Sequence, residues 1–371
     1  MSKSADILLV CGEPSGFVHL ENIALALRNQ TNNISISAMG YPSNHIDNLI
    51  VDIKDRASMG LTDILKNTRF YTKSLMKLKQ YINSNKPKIA VLIDNFEFNA
   101  LLLKCLFRNY CNIFYFIPPK VWSWGGFRSG ILKGYCKSVY TIYPFEEKFL
   151  KKYGIDIRYV GNPFINKYLH IRESGNEKNA NIIGLLPGSR RSEIIRHMPV
   201  LLRAVKIIRR RLSSIRFILG ASSDVRGRIE EYVGDDDGIE ITDGIIDVLN
   251  RAGLIIVASG TATFEVAVCG IPMIVIYCTS PLTYYAGRVL IRNKFIGLPN
   301  LIAGREIVPE LIQGRMNEER IAKYVINLHN NKYLYESVHL ELLSATEEMI
   351  GNTINPYENT VKDILEKVGL D

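Results

Sequence analysis

Two carboxylates and an amide, Asp94, Glu97 and Asn99, crowd the segment that follows the apolar run ending at Ile93. Two carboxylates so close can share one proton or divide acid and base roles between them. Asp94 is equally suited to cap a following helix, and Glu97 to complement its dipole. A second titratable pair is Glu13, within GEPSG, and His19, just after it; Gly12, Ser15 and Gly16 of that motif let backbone approach a substrate closely. The helix that follows GEPSG presents an amino end that attracts oxygen-rich groups. GxGxxG and GxxxxGK[ST] are both absent from the chain, which disfavours dinucleotide and P-loop binding.

A third cluster is LLPGSR, Leu185 to Arg190. Gly188, Ser189 and a helix amino end can cradle a phosphate, with Arg190 adding a charged fork; a solvated helix start would read the same way. The fourth, ASGTATFE, has Gly260 for a sharp turn, Thr261 or Thr263 as a cap, Ala262 beside them, and Glu265 expected in the first helical turn. An ordinary βα turn gives the same pattern. GLPN and AGRE, which contain Asn300 and Arg305, read as a polar loop of the kind that carries function. Trp122 and Trp124 would face one side of an extended segment, fit for a sugar face, an acyl chain or the core.

These clusters need strands to aim them. From Ala5 to about Val160 short β-rich runs alternate with helical patterns, and the alternation restarts at Ile182 after a polar stretch, Ile171 to Asn181. The expected fold class is α/β: two Rossmann-like domains facing a cleft, with C-terminal helices after Leu301 and no further strand. Residues 1–170 are expected to form the first domain, 171–350 the second, and 351–371 a C-terminal helix able to pack back on the first. Within the first domain, Leu61, Leu65, Thr68, Leu75, Leu78 and Ile82 follow helical spacing, while Lys66, Arg69, Lys73, Lys77 and Lys79 crowd much of the remaining surface. Such a helix covers its own sheet or docks on anionic lipid.

A chain of 371 residues, 47% hydrophobic and 22% charged, is long enough for two buried cores. No stretch reaches the roughly 18 apolar residues needed to span a bilayer, and the first run is too short for a secretory core, so a cytoplasmic protein is expected. Six scattered cysteines without ligand spacing imply neither disulfide nor zinc. The net charge of +9 favours anionic partners, and the lack of RNP motifs, zinc fingers or basic tails argues against nucleic acid.

Taken in order, GEPSG, Met59-Gly60, ID followed by FN, VWSW, PFEE, LLPGSR, ASGTATFE and LPNLIAGRE closely resemble the lipid-A-disaccharide synthase family over nearly the whole chain. The resemblance implies a glycosyltransferase B fold and an inverting transfer of diacylglucosamine from UDP-2,3-diacylglucosamine to 2,3-diacylglucosamine 1-phosphate. It implies no cofactor or metal if helix amino ends and arginine compensate the departing diphosphate. It places Gly188, Ser189, Arg190, Gly260, Thr261, Ala262 and Glu265 around UDP, with Glu265 on ribose hydroxyls. Glu97 takes the position of an aspartate proposed as base, with Glu13 and His19 as further catalytic candidates. Gly12, Ser15, Gly16, Met59, Leu61, Trp122, Trp124, Asn300 and Arg305 fall to the acceptor and its acyl chains, and the anionic inner-membrane surface becomes a partner for peripheral attachment. Four positions depart from the family pattern: Phe17 for an aspartate, Phe96 for a proline, Glu97 for that aspartate and Asn162 for a histidine. Two other readings share the motifs, an epimerase-like UDP-sugar enzyme of the same fold and a non-catalytic paralogue.

Overall fold

The computed structural model describes residues 5–32, 34–54, 64–119, 127–174, 179–234, 237–281, 284, 294–350 and 355–370. Met59, Leu61, Trp122 and Trp124 lie outside the described residues. The chain divides into two compact units, Met1–Pro163 with Asn352–Asp371, and Phe164–Gly351.

In the first unit β1 (Ala5–Cys11), α1 (Pro14–Gln30), β2 (Ile34–Gly40), β3 (Asn48–Asp52), α2 (Ile64–Asn85), β4 (Ile89–Ile93), α3 (Phe96–Arg108), β5 (Asn112–Phe116), α4 (Phe127–Tyr135), β6 (Ser138–Thr141), α5 (Pro144–Lys151) and β7 (Ile157–Tyr159) follow one another. The seven strands form one sheet in the order β3-β2-β1-β4-β5-β6-β7, and every pairing is parallel. Continuous apolar runs such as ILLVC and IAVLI suit strands covered on both faces, and Ile7 to Cys11 and Ala90 to Ile93 are wholly buried.

The second unit begins with α6 (Ile165–Glu173) and continues through β8 (Asn179–Leu186), α7 (Arg191–Arg211), β9 (Arg216–Ala221), α8 (Ser223–Glu230), β10 (Ile239–Asp243), α9 (Ile246–Arg251), β11 (Ala252–Ala258), α10 (Thr261–Val268), β12 (Met273–Tyr277), α11 (Leu298–Ala303), β13 (Glu310–Ile312), α12 (Glu318–Asn330) and α13 (Lys332–Ile350). Its six strands are also parallel, ordered β10-β9-β8-β11-β12-β13. The division falls at Pro163 rather than inside the polar stretch at 171–181, because α6 packs on α10 of the second sheet. A strand does follow Leu301: β13 pairs with β12, and it escapes sequence patterning because three residues carry no period.

The last helix, α14 (Pro356–Val368), packs on α1 of the first unit. Long-range polar contacts fasten it there: the Tyr140 hydroxyl donates to Asp363 over 2.7 Å, Arg158 pairs with the same carboxylate, and Lys367 reaches Asp156 and Ser138. Among the described residues no helix is long and apolar enough to cross a membrane.

Candidate functional site

In each sheet the strand order reverses once, between β1 and β4 in the first unit and between β8 and β11 in the second. Ligands of open α/β sheets bind beyond the carboxyl ends of the strands at such switch points. The four loops there are GEPSG and DNFEFN in the first unit, LLPGSR and ASGTATFE in the second.

At the first switch point Asn95 joins the two loops. Its side-chain oxygen accepts from the Phe98 amide at 3.3 Å, capping α3, and its amide nitrogen donates to Glu13 Oε1 at 3.2 Å. Gly12 lies so close that a Cβ there would come within 2.6 Å of the same Asn95 nitrogen, which is why this position takes glycine. Asp94 and Asn95 both hold left-handed backbone, φ 48° and 34°, as does Ile117 at φ 59°. Such conformations are rare outside glycine and cluster where surrounding structure enforces them. The enforcement is visible: fully buried Asn99 donates to the carbonyls of Ile93 and Asp94, and Tyr115 donates to the Asp94 carbonyl at 2.5 Å. Glu97 stands in the first turn of α3 with its side chain 71% exposed, paired with Arg128 at 2.6 Å. Ser15 is exposed and Gly16 is packed against Cys11.

His19 occupies a different environment from the other candidates. It is buried, with Nδ1 3.0 Å from the Tyr357 hydroxyl of α14 and its ring beside Phe116. Burial pushes its imidazole down to about 4. It thereby ties α1 to the C-terminal helix. Two of the departures from the family pattern have packing explanations: Phe17 sets its ring edge-on to Tyr41 at 5.0 Å and covers Gly40, and buried Asn162 donates to the Ile142 carbonyl.

At the second switch point Gly188 adopts φ 119°, and a Cβ there would fall 2.4 Å from Glu193 Oε2. That carboxylate, nearly buried in the first turn of α7, accepts from the amides of Ser189 and Arg190 at 3.1 and 3.3 Å. The loop amides that sequence reasoning offered to a diphosphate are thus engaged by Glu193, a residue it missed. The amides of Arg191 and Ser192, in the first turn of α7, have no intrahelical acceptor and point to the same helix end. Arg190 is exposed, with one guanidinium nitrogen 3.4 Å from Glu193 Oε1. His197 pins the loop from below: Nδ1 donates to the Pro187 carbonyl at 2.7 Å while Nε2 accepts from the Cys278 amide at 2.9 Å, which fixes the neutral tautomer. Burial lowers its pKa, favouring that neutral form.

In ASGTATFE the cap of α10 is Gly260, with no side-chain cap bond, and not a threonine. Thr261 and Ala262 open the helix, while buried Thr263 donates to the Gly260 carbonyl at 2.7 Å and accepts from the Leu298 amide at 3.2 Å. Because the helix starts at Thr261, Glu265 falls in the second turn and not the first. It is half-buried and hydrogen-bonded to Tyr168, and burial raises its pKa.

Asn300 and Arg305 have intrachain partners. Asn300 is wholly buried in α11, and its amide is fully used: it donates to the Val308 carbonyl and Glu310 and accepts from the amides of Ile307 and Val308. Glu310, which sequence reading also missed, accepts from the amides of Ile296 and Gly297 at 2.9 Å. Arg305 is exposed and pairs with Glu341 of α13. Both residues belong to the second unit. Among the described residues no group of three or more His, Cys, Asp or Glu is placed to hold a metal ion.

Solved structures with this fold include a UDP-GlcNAc 2-epimerase from Neisseria meningitidis bound to UDP-GlcNAc (TM-score 0.63, 13% identity, 99% of this chain and 100% of that one). An S. aureus MnaA-UDP co-structure matches equally (TM-score 0.63, 13% identity, 99% and 98%). At such identity they establish the two-domain architecture alone. Sequence relatives are nearer: the lipid-A-disaccharide synthase of Geobacter metallireducens is 34% identical over 91% of this chain and 90% of its own length. Lipid-A-disaccharide synthase 1 of Legionella pneumophila is 31% identical over 94% of each chain. A family model for lipid-A-disaccharide synthetase matches residues 7–355, and the chain belongs to that family.

Proposed function

We propose that the protein joins UDP-2,3-diacylglucosamine to 2,3-diacylglucosamine 1-phosphate, giving lipid A disaccharide 1-phosphate and UDP. The observation that carries this reading is the family match from residue 7 to 355, and four of the motifs, GEPSG, ID followed by FN, LLPGSR and ASGTATFE, fall on the loops of the two switch points. In the second unit the amino ends of α7 and α10, with Arg190, receive the diphosphate, and Glu265 and Tyr168 lie at the nucleoside side. In the first unit the acceptor occupies the GEPSG and DNFEFN loops. Glu97 takes the proton from the acceptor 6-hydroxyl as that oxygen attacks C1 of the donor glucosamine. The bond from C1 to the diphosphate breaks, and its electron pair leaves with UDP. Attack opposite the leaving group inverts the α-linked donor to a β-linkage. A positioned base supplies about 10²- to 10⁴-fold in rate, and preorganised positive ends favour the departing charge.

Both substrates carry acyl chains, and the first unit offers a surface suited to the anionic membrane face where they reside. On α2, Leu78 and Ile82 are buried against the sheet while Arg69, Lys73 and Lys77 are exposed beside Met76. On the adjoining α3, Leu101 and Phe107 are exposed alongside Lys104 and Arg108. Interleaved cationic and apolar side chains are the pattern of interfacial binding. Release of UDP from the donor, measured with and without the monosaccharide acceptor in mixed micelles, tests the function: release must require the acceptor. Conversion of the donor without acceptor would point instead to the epimerase-like alternative, and no turnover of either kind to a non-catalytic paralogue.

A further inference from the structure

Glu97 is exposed, and an unsupported glutamate has three free side-chain torsions with which to miss a reacting hydroxyl. A contact with Arg128 restricts it. Arg128, the second residue of α4, donates through a terminal guanidinium nitrogen to Glu97 Oε1 at 2.6 Å. Arg128 is itself held: its guanidinium carbon lies 5.4 Å from the ring centre of Phe96, the buried residue that opens α3 immediately before Glu97. A planar guanidinium stacked on an aromatic ring loses less freedom on binding a carboxylate than a lysine would. Phe96, Arg128 and Glu97 therefore form a chain of support from the buried start of α3 to an exposed carboxylate.

We infer that Arg128 is the positioning residue for Glu97, fixing Oε1 so that Oε2 faces the acceptor hydroxyl. This rests on the reading of Glu97 as the base. An exposed ion pair adds little to stability, so its consequence lies in orientation. Misplacing a reacting group by about 1 Å costs about 10²-fold in rate. The test is a kinetic cycle of wild type, Arg128→Ala, Glu97→Gln and the double variant, with Arg128→Lys added and UDP affinity and melting temperature as folding controls. Arg128→Ala is expected to lower kcat about 10²-fold while acceptor KM, UDP affinity and melting temperature stay near wild type. Arg128→Lys should recover part of that loss, and in the Glu97→Gln background Arg128→Ala should lower kcat no further. Equal losses in both backgrounds, or wild-type kcat in Arg128→Ala, would overturn the positioning role. Wild-type kcat in Glu97→Gln would instead remove the base itself, and the inference with it.

Discussion

His19 separates a fastening role from a catalytic one through its response to acid. In the folded protein burial between α1, Phe116 and Tyr357 holds the imidazole neutral down to about 4, against an ordinary value of 6.5. The unfolded chain therefore binds the proton first. Stability from this group is complete above 6.5 and is lost as pH falls through 6.5 towards 4. The difference of about 2.5 pH units, at about 1.4 kcal/mol each, amounts to roughly 3 kcal/mol. Buried His197, which titrates in the same sense, lies in the second unit and is common to wild type and variant, so the difference between their urea-unfolding profiles isolates His19. Wild type should lose roughly 3 kcal/mol more than His19→Gln between pH 7 and pH 4, with the variant destabilised at neutral pH but catalytically within a few-fold. Superimposable pH profiles would refute the burial argument. Loss of turnover in a variant of unchanged stability would make His19 catalytic.

Gly188→Ala must place a Cβ against Glu193 at a backbone angle that costs L-residues about 1–3 kcal/mol; UDP affinity, measured by calorimetry, should fall by at least about 10-fold. Unchanged affinity would remove this loop from the nucleotide site. Asn300→Ala strands two backbone amides and a carbonyl and takes one of its donors from Glu310, so thermal unfolding should show a loss of about 3 kcal/mol or more with acceptor KM unaltered. A raised KM at preserved stability would restore Asn300 to the acceptor site. Exchanging Lys73, Lys77 and Lys104 for glutamate should abolish salt-sensitive sedimentation with anionic vesicles and leave UDP affinity intact. Undiminished sedimentation would place the lipid contact elsewhere.

The sheets were legible because parallel strands covered on both faces read as unbroken apolar runs, and the four loops because glycine and polar residues end those runs. The edge strands β3, β7 and β13 were not, since short strands with one neighbour carry neither length nor period. At the site, residue types located the loops but not their internal hydrogen bonds. Nothing local marks Asn95 as the link between GEPSG and α3, 82 residues from its partner Glu13. Glu193 was foreshadowed only by its place three residues into a helix, where a capping box puts a carboxylate over the loop amides. His19 and Asn300 look functional in sequence because buried polar groups and ligand-binding groups share residue types. Their partners, Tyr357 and the 307–310 segment, are remote or unmarked in sequence and give each a packing role that residue type does not announce.

The central claim concerns which bond is made. Proton NMR of the product formed from UDP-2,3-diacylglucosamine and 2,3-diacylglucosamine 1-phosphate reads it directly. A single disaccharide with a β-configured anomeric proton linked to C6 of the acceptor is the expected result. An α-linkage would contradict inverting displacement with Glu97 as base, and an epimerised UDP-sugar with unchanged acceptor would contradict the transfer altogether.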